Sequence, residues 1–205
     1  LGKRNTNTMK AAVFFSLVAS AAAFAPSSRV APSAATALSG AVDSMPGKID
    51  FRGAEFFFDP LKLSETYEPF LPFFRESEIR HGRTAMLAVV GMIVPDFVRI
   101  PGEAYSFEAV PKTVDAHDAL ISGPMTQLLL WISLFDTVVT CPAVAATMKG
   151  ERTPGDFGWT TFAPKDEAKM AAKVNSELLN GRLAMMACGG IMTQAVLTGK
   201  GFPFI

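Results

Sequence analysis

The sequence contains one eleven-residue stretch twice, ninety-nine residues apart. The first copy covers residues 78–88 (EIRHGRTAMLA) and the second covers residues 177–187 (ELLNGRLAMMA). Six of the eleven positions are identical when the copies are aligned without gaps. An internal repeat of this kind predicts two copies of one structural element. The fold must therefore accommodate two similar polar motifs, each at the start of an apolar segment.

The polar residues of the two copies predict two helices that cross. At about 100° per residue, Glu78 and His81 share one helix face. Arg83 lies about 140° from Glu78 and is badly placed to pair with it on the same helix. If the two helices cross, Glu78 meets Arg182 instead. By the same symmetry Glu177 meets Arg83, and each pair neutralises charges that are costly to bury alone.

The carboxylates of such pairs are also candidate ligands. Each carboxylate keeps a free oxygen, which suits a hard cation such as Mg²⁺. Gly82 and Gly181 lie beside the predicted crossing, where a missing side chain lets two helix backbones approach closely. The repeat therefore predicts cation-binding groups next to a tight crossing.

The paired motifs resemble a known family. Glu-x-x-His-Gly-Arg-x-Ala-Met at 78–86 and Glu-x-x-Asn-Gly-Arg-Leu-Ala-Met at 177–185 are similar to the first and third membrane helices of light-harvesting chlorophyll-binding proteins. The resemblance extends from about Phe56 to Pro203. It implies an all-α membrane protein with three transmembrane helices, the first and third crossing as a pseudo-twofold repeat. It also implies the interhelix pairs Glu78–Arg182 and Glu177–Arg83, and axial chlorophyll Mg ligands at Glu78, His81, Glu177 and Asn180.

The first forty residues differ in character from the rest and are predicted to be a presequence, with the three-helix domain at 41–205. Residues 1–40 carry four basic residues and no acid, whereas the remainder carries 15 basic and 19 acidic residues, which argues against nucleic-acid binding. Met9-Lys10 and the apolar run 11–23 are typical of a secretory signal. Thirteen apolar residues are too few to span a bilayer. Residues 1–8 precede Met9 and are either translated leader or added sequence.

A second targeting segment follows the signal. Residues 27–40 are rich in Ser, Ala and Pro and lack acids, as transit peptides are. The junction Ala-Phe-Ala-Pro at 23–26 resembles the two-part presequence of algae with red-type secondary plastids. A simple secretory leader is the alternative interpretation.

Start and stop signals predict three long helices. Proline in a first turn, proline after a last turn and a glycine cap mark their ends. The predicted ranges are about 72–95, about 114–148, and from after Pro164 to Thr198-Gly199. Gly123-Pro124 and Pro142 are expected to interrupt or kink the second helix.

Further ligand candidates lie on the second and third helices. Gln127 and Asp136 are polar residues within the most lipid-like run, which indicates a site. The resemblance implies that both are axial ligands, although relatives more often have Glu at the second place. A carboxylate bonded within the helix is the alternative for Asp136.

Gln194 lies about 40° from the face of Asn180 and about 21 Å along the axis. The resemblance implies a ligand there, with an interhelix hydrogen bond as the alternative. His117, at the predicted membrane surface, is either a ligand or a solvated side chain.

Two loops are similar to segments that hold carotenoid ends in the family. They contain Phe58, Asp59, Pro60 and Leu61 in the first loop and Asp156, Phe157 and Trp159 in the second. An ordinary turn with an aromatic anchor is the alternative for the first loop. Trp159 also suits a membrane-interface belt.

The function implied by the resemblance is that of an antenna. The chain would bind chlorophyll a, chlorophyll c, a fucoxanthin- or peridinin-type carotenoid and lipid in the plastid thylakoid membrane, and pass excitation to a photosystem core or another antenna subunit. The assignment of these pigment types rests on the resemblance of the presequence to those of algae with red-type plastids. The sequence offers no acid–base pair, nucleophile or phosphate loop, so an enzyme is not expected.

Two alternatives to the antenna remain at this stage. One is a photoprotective relative with protonatable lumenal carboxylates, for which the candidates are Glu103, Glu108, Asp115 and Asp118. The other is a small transporter subunit whose Glu and Arg residues line a wet cavity.

Overall fold

The computed structural model describes residues 45–51, 54–159 and 163–204. All of them belong to one compact unit, residues 38–205. The predicted presequence lies outside the described residues.

The described part of the chain is mainly helical, as predicted, with one small hairpin that was not predicted. Strands β1 (Ile49–Phe51) and β2 (Ala54–Phe56) pair antiparallel, with Ile49 opposite Phe56. The helices are α1 (Leu63–Thr66), α2 (Leu71–Ile93), α3 (Thr113–Met148) and α4 (Glu167–Thr198). Helices α2, α3 and α4 correspond to the three predicted helices.

Helix α2 begins and ends at prolines. A 3₁₀ turn, Glu68–Phe70, leads into it, and Pro72 lies in its first turn, where its missing N–H costs nothing. A second 3₁₀ turn, Val94–Asp96, follows the helix and contains Pro95. At about 1.5 Å per residue the helix is roughly 35 Å long, which is enough to cross a bilayer core.

Helix α3 is continuous but irregular. Its regular α-helical parts, Ala116–Leu120, Thr126–Phe135 and Cys141–Met148, are joined by π-helical turns at Ile121–Met125 and Asp136–Thr140. Pro124 lies within the first π-helical turn and Pro142 follows the second. Because proline has no backbone N–H, each lacks the α-helical hydrogen-bond donor where the helix widens. The expected interruptions are therefore π turns, and the helix continues through them.

Of the helices described, α3 alone is long and apolar enough by composition to span a membrane. Helices α2 and α4 do not meet that criterion, and each carries the charged residues of its repeat motif. The number of spans therefore depends on whether those charges are neutralised at membrane depth.

Helix α4 has a cap at each end. Asp166 Oδ1 accepts a hydrogen bond of 3.1 Å from the Ala168 amide before the first turn. Gly199 adopts the left-handed conformation (φ +61°) and its amide donates to the Ala195 carbonyl. The predicted glycine cap is confirmed, because only glycine takes this conformation without a steric penalty.

The core of the molecule is the crossing of α2 and α4. Gly82 and Gly181 meet there, and Ile79, Ala85 and Leu178 are buried around them. The outer faces carry large exposed apolar side chains, including Leu87, Trp131 and Val196. In the most apolar window of α3 only 6% of the side-chain positions are buried. Such extended apolar surfaces indicate contact with lipid or with bound apolar molecules.

Candidate functional site

Two ion pairs connect α2 and α4 at the crossing. Arg182 Nε donates to Glu78 Oε1 at 2.7 Å, and Arg83 Nε donates to Glu177 Oε1 at 2.7 Å. Both pairings predicted from the repeat are present. Each pair brings a carboxylate and a guanidinium together, so neither charge enters the apolar surroundings alone.

His81 and Asn180 occupy equivalent positions and are held in the same way. His81 Nδ1 lies 2.7 Å from the Ser77 carbonyl oxygen. Since that oxygen can only accept, Nδ1 carries a hydrogen, and in the neutral ring the lone pair is on Nε2. Asn180 Nδ2 donates to the Ser176 carbonyl at 2.8 Å, and Oδ1 accepts no hydrogen bond from the described residues. Both residues are exposed, so each presents one oriented lone-pair atom that can coordinate a metal outside the helices.

The repeat arginines also hold two Pro-Gly turns. Arg83 Nη1 donates to the Gly155 carbonyl at 2.8 Å, and Arg182 Nη1 donates to the Gly47 carbonyl at 2.6 Å. Both glycines have positive φ, +80° and +96° respectively, a conformation that disfavours other residues. Each arginine therefore connects a carboxylate on the opposite helix with a loop.

The amides of the two turns are held by a second pair of repeat-related residues. The Gly155 amide donates to Glu76 Oε2 at 2.6 Å, and the Gly47 amide donates to Asn175 Oδ1 at 2.7 Å. Glu76 and Asn175 are again ninety-nine residues apart. The structural repeat therefore extends beyond the eleven matching residues. Sequence analysis missed these two positions because their side chains differ, although the two Pro-Gly dipeptides were a usable signal.

The two carboxylates of the crossing are not equivalent. Glu78 Oε2 accepts a second hydrogen bond of 2.7 Å from Arg75 Nη1, and Arg75 is buried. Oε2 of Glu177 accepts no hydrogen bond from the part of the chain that the structure describes. Glu177 therefore has one uncommitted oxygen, whereas each oxygen of Glu78 already accepts one hydrogen bond. Arg75 was overlooked in the sequence, although its (i, i+3) spacing to Glu78 permits such a pair.

Asp136 on α3 pairs with α2. Arg80 Nη2 lies 2.5 Å from Asp136 Oδ2, and Thr140 Oγ1 donates to Oδ1 at 3.1 Å. The alternative interpretation, a carboxylate bonded within its own helix, therefore has a specific contact in Thr140, and Arg80 adds a second contact from α2. Each oxygen still has a second lone pair, so ligand binding is not blocked. The sequence did not predict this pair because it depends on how α3 packs against α2.

The remaining candidate ligands lie on exposed helix surfaces. Gln127 and Gln194 are exposed on α3 and α4. His117 Nδ1 lies 3.0 Å from Asp118 Oδ1 near the start of α3, and both side chains are exposed. Among the described residues no three His, Cys, Asp or Glu side chains form an ion-binding cluster.

A cavity of about 450 Å³ lies beside His81, between α2 and α3. Phe73 and Val144 contribute apolar walls, and Ser77 and Arg80 contribute polar groups. This size and mixed lining suit part of a large, flat, mainly apolar ligand with polar substituents.

The first predicted loop is a helix cap with exposed apolar neighbours. Asp59 accepts hydrogen bonds from the amides of Leu63 (3.0 Å) and Ser64 (2.8 Å) at the start of α1. The hydroxyl and amide of Ser64 hold the pKa of Asp59 below its ordinary value of 3.8. Phe58, Pro60 and Leu61 are exposed beside it. The loop thus has the structure of an ordinary capped turn, with exposed apolar side chains beside it.

The second predicted loop presents aromatic side chains. Asp156 Oδ1 accepts from the Gly158 amide at 2.7 Å and shapes the turn. Phe157 lies under the guanidinium of Arg152, 4.6 Å from ring centroid to Cζ. Trp159 is 90% exposed.

Comparison with known proteins identifies the chain's relatives. Residues 38–196 match the family model described as chlorophyll A-B binding protein. The chain is 34% identical to fucoxanthin-chlorophyll a-c binding protein F, chloroplastic, of Phaeodactylum tricornutum, with 92% of this chain and 96% of that protein covered. It is 33% identical to the fucoxanthin-chlorophyll a-c binding protein, chloroplastic, of Trieres chinensis, over 94% of this chain and 97% of that protein.

Proposed function

The chain belongs to the chlorophyll A-B binding protein family, and from this premise we propose that it is a light-harvesting antenna protein. It binds chlorophyll a, chlorophyll c and a fucoxanthin-type carotenoid and transfers excitation energy to a photosystem. The bound pigments supply the light absorption, and the protein holds them at fixed separations. The names of its relatives, which combine fucoxanthin with chlorophyll a-c, support the pigment types.

The observation that carries this proposal is the matched orientation of His81 and Asn180. Each side chain is fixed by the carbonyl of the residue four positions earlier and presents one lone pair outward. A neutral imidazole nitrogen or an amide oxygen in this position can bind the Mg of a chlorophyll axially. Rigid helices then fix the orientation of the ring plane. The protein's role is positioning, with no chemical step on a substrate.

The same reasoning extends to the other ligands. The proposed axial ligands are Glu78, His81, Glu177, Asn180, Gln127, Asp136 and Gln194, with His117 as a surface candidate. The uncommitted oxygen of Glu177 supports its assignment directly. Glu78 and Asp136 would bind through a remaining lone pair on a carboxylate that is already hydrogen-bonded.

We propose that α2, α3 and α4 all span the membrane. Helices α2 and α4 are about 35 Å and 48 Å long at 1.5 Å per residue. Their repeat-motif charges are paired across the crossing, which lowers the cost of placing them at membrane depth. The exposed apolar faces supply the lipid- and pigment-contacting surface. Pairing of the charges also argues against a transporter subunit, which needs them in a wet cavity.

The two loops would hold carotenoid. Phe58 and Leu61 in the first loop, and Phe157 and Trp159 in the second, offer exposed apolar contacts to a polyene or its end ring. We place the protein in the thylakoid membrane, together with other antenna subunits, a photosystem core and membrane lipid. The chloroplastic location of the relatives supports this assignment.

Pigment analysis of the purified native protein tests the proposal. Carotenoid and chlorophyll c bands in the excitation spectrum of chlorophyll a emission are the expected result. A protein that carries no chlorophyll contradicts the proposal. Chlorophyll with a short-lived emission at lumenal pH would instead favour a dissipating role.

A further inference from the structure

The two carboxylates of the crossing lie among different charges. Glu177 contacts one guanidinium of the described residues, that of Arg83, at 2.7 Å. Glu78 contacts two, because Arg182 Nε donates to Oε1 and Arg75 Nη1 donates to Oε2, each at 2.7 Å. Two guanidiniums and one carboxylate leave an excess positive charge at Glu78, whereas the pair at Glu177 is neutral.

Arg75 is buried and depends on Glu78 for its counter-charge. Its side chain is only 9% exposed, and its Nε is buried without a hydrogen-bond partner among the described residues. A second cation lies close by, since a Cβ on Gly47 would be 3.3 Å from Arg75 Nη1 and 3.2 Å from Arg182 Nη2. A buried charge is costly unless an opposite charge compensates it, and the Glu78 carboxylate is shared between these two cations.

The second copy of the repeat has no residue that can act as Arg75 does. The position ninety-nine residues after Arg75 is Val174, three residues before Glu177 on α4. Valine has neither a donor nor a charge, and Glu177 Oε2 accepts no hydrogen bond from the described residues. The difference in charge between the two carboxylates therefore arises from one position of the repeat.

A second guanidinium weakens a carboxylate as a metal ligand. Both oxygens of Glu78 already accept a charge-assisted hydrogen bond, which withdraws negative charge from their remaining lone pairs. The excess positive charge also repels a Mg ion placed at either oxygen. Partners that hydrogen-bond a metal ligand commonly change metal affinity by about 10- to 100-fold. Oε2 of Glu177 accepts no such hydrogen bond from the described residues, so it is the stronger donor.

We propose that Arg75 makes Glu78 the weaker of the two axial carboxylates, so that chlorophyll at Glu78 exchanges faster than chlorophyll at Glu177. This inference rests on the proposed function, in which both carboxylates bind the Mg of a chlorophyll. Arg75 acts through Glu78 and is therefore a positioning residue. A purely structural arginine would have the opposite effect, because it would hold Glu78 in place for the pigment and its removal would release chlorophyll.

Chlorophyll exchange in the pigment-loaded full chain tests this inference. The chain is refolded with chlorophyll a, chlorophyll c and fucoxanthin and then mixed with an excess of isotope-labelled chlorophylls in detergent. Mass spectrometry of the bound pigment follows the exchange. Arg75→Met removes the second guanidinium and keeps a long side chain. Val174→Arg places a guanidinium before Glu177 at the spacing of Arg75 and Glu78, and Val174→Met is its matched control because it adds length without charge.

In Arg75→Met we expect one chlorophyll per chain to exchange more slowly, on the order of tenfold, the lower end of the range for partners of a metal ligand. Val174→Arg should speed the exchange of one chlorophyll per chain, and Val174→Met should leave the rates unchanged.

Exchange that is unchanged in Arg75→Met overturns the inference. Faster exchange or loss of chlorophyll also overturns it and identifies Arg75 as purely structural. If Arg75→Met does not refold, the two variants at position 174 decide: faster exchange in Val174→Arg than in Val174→Met supports the inference, and equal rates overturn it. An unaltered chain that takes up no chlorophyll overturns the proposed function instead.

Discussion

The backbones of Gly82 and Gly181 meet at the crossing of α2 and α4, and a Cβ on either residue would lie 3.0 Å from the Cα of the other. A methyl group this close to the backbone of the other helix causes a clash that no side-chain rotation relieves, so the helices must move apart. Their separation would lengthen the Glu78–Arg182 and Glu177–Arg83 contacts on either side.

We therefore expect Gly82→Ala to destabilise the pigment-loaded protein by about 1–3 kcal/mol, the usual range for overpacking. Thermal loss of the pigment circular-dichroism signal measures the effect. Gly91→Ala and Gly190→Ala are matched controls, since both lie on the same helices with no atom within 4 Å of the added Cβ. Alanine should be neutral or stabilising there because it favours helix by up to about 1 kcal/mol. Equal destabilisation at all three positions would mean that the close crossing is not the cause.

Because His81 and Asn180 have equivalent orientations, we expect asparagine to substitute for histidine at position 81. In His81→Asn the new amide can donate to the Ser77 carbonyl and present its oxygen outward, as Asn180 does. We expect this variant to keep most of the chlorophyll at that site, while His81→Leu loses it. Chlorophyll per chain after refolding with pigments is the measurement. Retention of the full chlorophyll complement in His81→Leu would exclude His81 as a ligand.

The Arg80–Asp136 pair allows the two interpretations of Asp136 to be separated. If Asp136 is an axial ligand, Asp136→Asn keeps an oxygen donor and retains the pigment, whereas Asp136→Leu loses a chlorophyll. Arg80→Leu removes the same ion pair without removing the ligand, so it should loosen α3 from α2 and retain the chlorophyll that Asp136 binds. A full chlorophyll content in Asp136→Leu would identify the carboxylate as purely structural.

The contacts of Asp96 predict how the junction between α2, α3 and the C-terminal segment responds to acid. Its carboxylate accepts hydrogen bonds from the Thr113 hydroxyl (2.6 Å) and the Phe202 amide (2.7 Å), connecting the end of α2 to the start of α3 and to the C-terminal segment. Burial opposes its charge, but these hydrogen bonds and the nearby Arg99 outweigh burial and lower the pKa of Asp96 below 3.8. A lowered pKa means that its stabilising effect is complete above about pH 3.8 and is lost as the pH falls further.

We therefore expect the junction to persist on acidification from pH 7.5 to 5. Hydrogen exchange of the Phe202 amide, corrected for the intrinsic rate at each pH, checks this. Asp96→Asn should raise the exchange rate already at neutral pH, and Asp118→Asn, at a fully exposed carboxylate, should not. A large loss of protection between pH 7.5 and 5 in the unaltered chain would contradict the assignment and make Asp96 an acid sensor.

Local signals in the sequence predicted the helices well. The start near Pro72, the end before Pro95 and the glycine cap at Gly199 each lie within a few residues of the observed bounds. These signals act through the backbone donors and dihedral angles of their own turn, so they need no knowledge of the rest of the chain. Pro124 was harder to interpret, because a missing donor can break, kink or widen a helix, and packing selects among these outcomes.

The repeat by itself determined the crossing and its ion pairs. Two similar motifs related by symmetry leave few ways to neutralise Glu78 and Glu177, so the partners could be named without a structure. The (i, i+3) spacing of Arg75 and Glu78 was already visible in the sequence. Only the tertiary structure decided the pairings of Arg80 with Asp136 and of Arg152 with Glu76. Both join elements that the repeat does not relate. Their pairing depends on how α3 and the loop after it pack against α2, and no spacing along the chain encodes that distance.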